Sequence, residues 1–150
     1  MERNEFLKSL GFGIAMVCTG SCLSSCGGSK TEEPTPTNGG GPAAGTRVNV
    51  DLSSQLTTVG SFTTIGGVLF VRLATGNTPT SFVATQAICP HQGGSLSWVQ
   101  ANNVIQCGLH AARYSTSGSV VAQPNDGGTT RALTVYTTSV SGNTLTATVG

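Results

Sequence analysis

Charge and aromatic side chains are scarce in this 150-residue chain: charged residues make up 9% of it and aromatics 5%, for a formal net charge of +1. From Arg47 onward there is no lysine and no glutamate, and the charges reduce to Arg47, Arg72, Arg113 and Arg131 against Asp51 and Asp126. So thin and scattered a positive balance offers no footprint for nucleic acid, which calls for cations clustered along one face. Internal repeats and sustained amphipathic helical periodicity are also missing, and no apolar run approaches the ~20 residues of a membrane-spanning helix. Histidine is scarce too: the chain has two. What remains is rich in Thr, Ser, Gly and β-branched residues, a composition that suits a solvated β surface.

The first forty-odd residues do not read as part of a folded body. In residues 1–26, Arg3 and Lys8 supply positive charge, and Leu10 to Val17 form a short apolar stretch, the make-up of an export signal. Leu23-Ser24-Ser25-Cys26 resembles the lipobox of bacterial lipoproteins, in which cleavage precedes the cysteine and its thiol carries a diacylglycerol. Cys26 is the expected lipidation site and first mature residue; each buried methylene of such an anchor contributes about 0.8 kcal/mol to membrane attachment. Arg3 to Lys8 also looks like a twin-arginine motif, with Asn4 standing where the second arginine belongs. Residues 27–46 are Gly, Pro, Thr, Ser and Glu with almost nothing apolar, which cannot repay the entropy of ordering and reads as a flexible tether. Twenty such residues reach roughly 25 Å.

Residues 47–150 form the expected domain. Short runs rich in Val, Leu, Ile, Thr and Phe alternate with Gly, Asn and Ser every eight to twelve residues, an all-β pattern. Strands are expected over Arg47 to Leu52, Val68 to Leu73 and Phe82 to Ala87. A hairpin is expected from Ser97–Val99 and Val104–Gln106 around Ala101-Asn102-Asn103. A second joins Ala132–Val140 to Thr144–Val149 around Ser141-Gly142-Asn143.

Both histidines, and both cysteines of the domain, fall in two short segments: Cys89-Pro90-His91 and Cys107-Gly108-Leu109-His110. A thiolate and an imidazole two or three residues apart can bind from one loop, and the intervening hairpin brings the second loop beside the first. Two plainer readings stand next to this one. Two Cys and two His make a common tetrahedral zinc site, although Cys-X-His is an unusual half for a zinc finger. A Cys89–Cys107 disulfide suits an exported protein, but leaves unexplained why the histidines sit beside those cysteines.

The two half-motifs, fifteen residues apart, resemble those of the Rieske iron-sulfur family, in which two cysteines bind one iron and two histidines the other. Gly93 and Gly94 after the first half, Tyr114 four residues after His110, Gly118 and Pro124 match its flanking pattern. The resemblance implies an antiparallel β sandwich with an inserted cluster-binding subdomain at about residues 87–126. It implies one [2Fe-2S] cluster on Cys89, His91, Cys107 and His110, the thiolates on the buried iron and the imidazoles on the outer one. Leu109, Tyr114 and Pro124 would shape the cover. Gly94 and Leu109 occupy positions where the respiratory branch carries an extra cysteine pair. Ala112 stands where that branch has a serine donating to a sulfide, and Tyr114 retains a hydroxyl for a cysteine sulfur.

Mixed ligation has an electrostatic reason. Two ferric ions, two sulfides, two thiolates and neutral imidazoles sum to zero, so one electron leaves a single negative charge to bury; four thiolates would leave three. The potential rises accordingly from around −400 mV to roughly −150 to +300 mV. Export and the lipobox point to one-electron transfer on the periplasmic side of a bacterial membrane, lipid-anchored in the cell envelope. The expected partners are a quinol-oxidising complex, a cytochrome or an oxidoreductase large subunit. Alternatives are the ferredoxin that feeds an oxygenase and a non-redox exported β module. An aromatic-ring oxygenase itself needs two more histidines for its mononuclear iron.

Overall fold

The computed structural model describes residues 41–150. The expected leader, Cys26 and positions 27–40 of the tether lie outside the described residues. Among those described, no helix is long and apolar enough to cross a membrane.

The described chain forms β1 (Arg47–Asp51), β2 (Phe62–Ile65), β3 (Val68–Arg72), β4 (Phe82–Gln86), β5 (Leu96–Val99), β6 (Val104–Cys107), β7 (Arg113–Tyr114), β8 (Val120–Ala122), β9 (Val135–Ser141) and β10 (Thr144–Thr148). They make two antiparallel sheets. A six-stranded base sheet has the order β1-β10-β9-β4-β3-β2, and a four-stranded sheet the order β5-β6-β7-β8. The smaller sheet is an insertion: the chain leaves the base at β4 and returns at β9, and those two strands pair directly through Ala84↔Tyr136 and Thr85↔Val135. The all-β architecture with an inserted subdomain is therefore present as expected.

Alternation along β3 and β4 explains how one sheet supports two cores. Side chains on a strand point to opposite faces in turn. Val68 and Phe70 of β3, with Phe82 and Ala84 of β4, face a first core with Val48, Val50, Tyr136, Leu145 and Ala147. Leu69, Val71 and Val83 face a second with Leu96, Trp98, Ile105, Tyr114 and both domain cysteines. Both strands are buried on both sides, which is why Val68-Leu69-Phe70-Val71 reads as a continuous apolar run.

The insertion point is pinned by Gln86, which is 1% exposed. Its Nε2 donates to the Ile88 carbonyl (2.6 Å) and its Oε1 accepts from the Thr134 N–H (3.1 Å), so departing and returning chains share one side chain. A second clamp is Gly118, at φ +83°, whose carbonyl accepts from the Leu133 N–H (2.9 Å). An added Cβ there would lie 2.6 Å from the Leu133 carbonyl oxygen, too close for any side chain. The last hairpin turns through Gly142-Asn143, closing on the Ser141↔Thr144 pair with Gly142 at φ +57°. At the other end, the Gly45 N–H donates to the Val149 carbonyl (2.8 Å), so the final residues assigned to the tether lie against the last strand's end.

The expected strand Ala132 to Val140 is shorter at its start, since β9 begins at Val135. Leu133 is buried in the second core and its backbone is committed to Gly118, so it serves the inserted sheet. The turn expected at Ala101-Asn102-Asn103 is a single 3-10 turn, Gln100–Asn102, capped by Asn103 in the left-handed region.

Candidate metal centre

The two motif segments fold as the same closed turn. In the first, the Cys89 N–H donates to the Gly94 carbonyl (2.7 Å) and the Gly93 N–H to the Cys89 carbonyl (3.0 Å). In the second, the Cys107 N–H donates to the Ala112 carbonyl (2.9 Å) and the Ala111 N–H to the Cys107 carbonyl (3.1 Å). Each turn needs a left-handed residue four places after its cysteine, supplied by Gly93 (φ +77°) and by Ala111 (φ +54°). Glycine adopts this at no steric cost, whereas alanine carries strain. The thiols thus sit at equivalent roots, and the imidazoles project from the turns above them.

The turns are pressed together, since an added Cβ at Gly94 would lie 2.7 Å from both Cys107 Sγ and Leu109 Cβ. Positions 94 and 109, which carry the extra cysteine pair in the respiratory branch, face each other here without sulfur. A third segment closes the site. Pro124 is buried, and the Asn125 N–H donates to the His110 carbonyl (2.9 Å), which docks residues 124–128 on the second turn.

The donors separate into two layers. Cys89 and Cys107 are both free and 2% exposed. Above them the ring centroids of His91 and His110 are 5.4 Å apart in an edge-on arrangement. The donor atoms that gather within 4.8 Å of one another belong to His91, His110 and Asp126, and neither thiol joins that group. A single tetrahedral zinc ion needs all four donors within bonding reach of one point. Two buried thiols with two less buried imidazoles beside them suit a two-metal cluster with sulfur and nitrogen on separate metals, and Cys89 and Cys107 are not joined in a disulfide.

Two further observations test the fit. Nδ1 of His110 is buried without a hydrogen-bond partner, a costly condition that a metal bond relieves. The Tyr114 hydroxyl lies 3.1 Å from Cys89 Sγ and 2.8 Å from Thr130 Oγ1. Once the sulfur is a thiolate, the phenol donates to it and accepts from the threonine. Burial, then the neighbouring Cys89, pushes the phenol's pKa up and keeps that proton in place. Burial likewise pushes the Cys89 thiol up, against the lowering pull of Tyr114. Ala112 is fully buried and contributes no donor. Leu109 is 54% exposed, an apolar side chain at the surface beside the site and not a closed lid.

Asp126 is the residue that sequence reasoning missed. Its Oδ1 accepts from the Gly128 N–H (2.9 Å) and its Oδ2 from His91 Nε2 (2.8 Å), with His110 Nδ1 3.4 Å away. His91 Nδ1 donates to the Thr129 carbonyl (2.9 Å). The bond to Asp126 raises the pKa of His91, and the same bond lowers that of Asp126. A ring donating from both nitrogens must give up one proton to ligate iron. Were His91 to hold iron through Nδ1, the Thr129 contact would be given up and the Nε2 bond to Asp126 would be kept. The only signal in the sequence was the Pro124-Asn125-Asp126-Gly127-Gly128 turn chemistry.

An inserted antiparallel sheet that offers one buried thiol pair and one imidazole pair from matched turns defines a cluster-binding electron carrier. The chain belongs to the Rieske family: the Rieske [2Fe-2S] domain model matches residues 47–137, and one [2Fe-2S] cluster is its cofactor. A 44-residue stretch is 34% identical to the cytochrome b6-f complex iron-sulfur subunit of Chlorobaculum thiosulfatiphilum, covering 29% of this chain and 24% of that protein. Among solved structures, the cyanobacterial plasma membrane Rieske protein PetC3 from Synechocystis PCC 6803 superposes with a TM-score of 0.50 at 26% identity. That match covers 68% of this chain and 99% of the cyanobacterial one.

Proposed function

We propose that this protein carries single electrons in the bacterial cell envelope, with Cys89 and Cys107 holding the inner iron and His91 and His110 the outer one. The observation that carries the ligand set is the buried, unpartnered Nδ1 of His110 beside His91, above two free thiols. When bound, the cluster supplies a one-electron couple. The chain's part is to keep the sulfurs dry through Leu96, Ile105 and Tyr114, to donate to Cys89 from Tyr114, and to hold the imidazoles near the surface. Electron tunnelling favours the short path through those imidazoles, and the exposed Leu109 gives a docking partner apolar surface beside it.

In the proposed setting, the leader is cleaved just before Cys26, Cys26 bears the lipid, and the chain from residue 27 up to the domain-bound stretch that includes Gly45 is the tether, so the domain works from the periplasmic surface. The partners are a quinol-oxidising complex, a cytochrome or an oxidoreductase large subunit. Similarity to an iron-sulfur subunit of a cytochrome b6-f complex and to a plasma membrane Rieske protein supports that setting.

Iron and acid-labile sulfide assays, with electron paramagnetic resonance of the dithionite-reduced protein, test the ligand set. A red-brown protein whose signal disappears in Cys107→Ser and His110→Ala supports it; a colourless protein holding zinc refutes it. Mass spectrometry of the mature amino terminus tests Cys26, and an unmodified, uncleaved terminus would remove the anchor.

A further inference from the structure

After Asp51 the chain contains a single acidic residue, Asp126, and its carboxylate lies against both histidines. The placement is built by its surroundings. Oδ1 is fixed by the Gly128 N–H (2.9 Å); Oδ2 accepts from His91 Nε2 (2.8 Å) and Gln92 Nε2 (3.4 Å) and stands 3.4 Å from His110 Nδ1. The backbone beside it is docked through the Asn125 N–H on the His110 carbonyl. Glycine at 128 permits the approach, because a Cβ there would lie 2.5 Å from His91 Cε1. The described arginines form no ion pair with the carboxylate, whose charged-group contacts are the two imidazoles alone.

On the reading that His91 and His110 ligate the outer iron, we propose that Asp126 is a positioning residue that lowers the reduction potential of the centre. Two effects act in the same direction. A fixed negative charge at contact distance from the imidazoles disfavours the arrival of an electron, although Asp126 itself lies at the solvent-exposed rim of the site. A carboxylate accepting from the outward nitrogen also makes a ligating imidazole a stronger donor, which favours the ferric state. Relatives without this carboxylate would accept electrons from weaker reductants.

The test is an anaerobic redox titration of full-length holoprotein at pH 7, followed by paramagnetic resonance, for the parent chain, Asp126→Asn and Asp126→Glu. The Asn variant raises the midpoint by about 59 mV or more, a tenfold change in the one-electron equilibrium, while Glu stays within about a third of that shift of the parent. Gln92→Lys leaves every ligand and Asp126 in place, offsets the charge, and raises the midpoint in the same sense; it decides the matter if Asp126→Asn does not retain its cluster. Iron and sulfide content separates the two readings. Variants with full clusters and an unchanged or lowered midpoint overturn the role of Asp126 and leave electron transfer standing; a parent protein without iron and sulfide overturns the site itself.

Discussion

The base sheet and the inserted sheet solve opposite problems with the same strand chemistry. Inside the base sheet the core is aliphatic and aromatic, Val50, Phe70, Leu145 and their neighbours, and nothing in it requires a ligand. The inserted core shares strands β3 and β4 but ends in two free thiols, a phenol and a bare imidazole nitrogen. Hydrophobic packing completes the first region, whereas the second leaves one buried polar atom, His110 Nδ1, without a hydrogen-bond partner. One region supplies stability, and the other spends part of it on holding donors in place.

The largest effect should come from breaking the shared wall on its base side. Phe70→Ala opens the first core and costs about 3 to 5 kcal/mol, read by denaturant unfolding, with both sheets lost together. Removing the cluster by acid and chelator should instead divide the regions. Hydrogen exchange is expected to accelerate about a hundredfold, ~2.7 kcal/mol of local opening, in β5–β8 and to change little in β3, β9 and β10. Equal acceleration everywhere would erase the contrast. At the donors, Tyr114→Phe keeps the buried ring and removes the hydroxyl from Cys89. Its midpoint should fall by roughly 60 mV, a tenfold change, and Ala112→Ser, adding a buried donor, should raise it.

Two smaller effects sharpen the comparison further. Ala111→Gly relieves the left-handed strain that Gly93 avoids in the matching turn, and should stabilise the protein by about 1 kcal/mol in thermal unfolding without moving the potential. In the base sheet, the Ser53 side chain and backbone hold the Asp51 carboxyl below the usual range. A folded pKa below the unfolded one contributes stability above the unfolded value and loses it as pH falls through the folded value. Asp51→Asn should therefore lower stability slightly near neutrality and flatten its decline in acid, leaving the cluster unaffected.

Much of this was legible in residue order because the two signals are local. β3 and β4 read correctly since burial on both faces leaves an unbroken apolar run, and the donor quartet stood out because it uses both histidines of the chain. β2, with Phe62 and Thr64 exposed on an edge, shows no apolar face, and the two- and three-residue strands β7 and β8 are too short to show a period. Leu133 looked like the start of β9 because sequence cannot say which sheet an apolar residue serves. Asp126 was hidden for the same reason: thirty-five residues from His91, it meets the imidazoles only because Pro124 and Gly128 let its turn fold over them.

Pulsed electron-nuclear resonance on the reduced protein tests the mixed ligand set most directly. The account predicts strong coupling to two imidazole nitrogens, with one lost in His110→Ala. A reduced cluster with no nitrogen coupling, or with both couplings surviving that substitution, would contradict it.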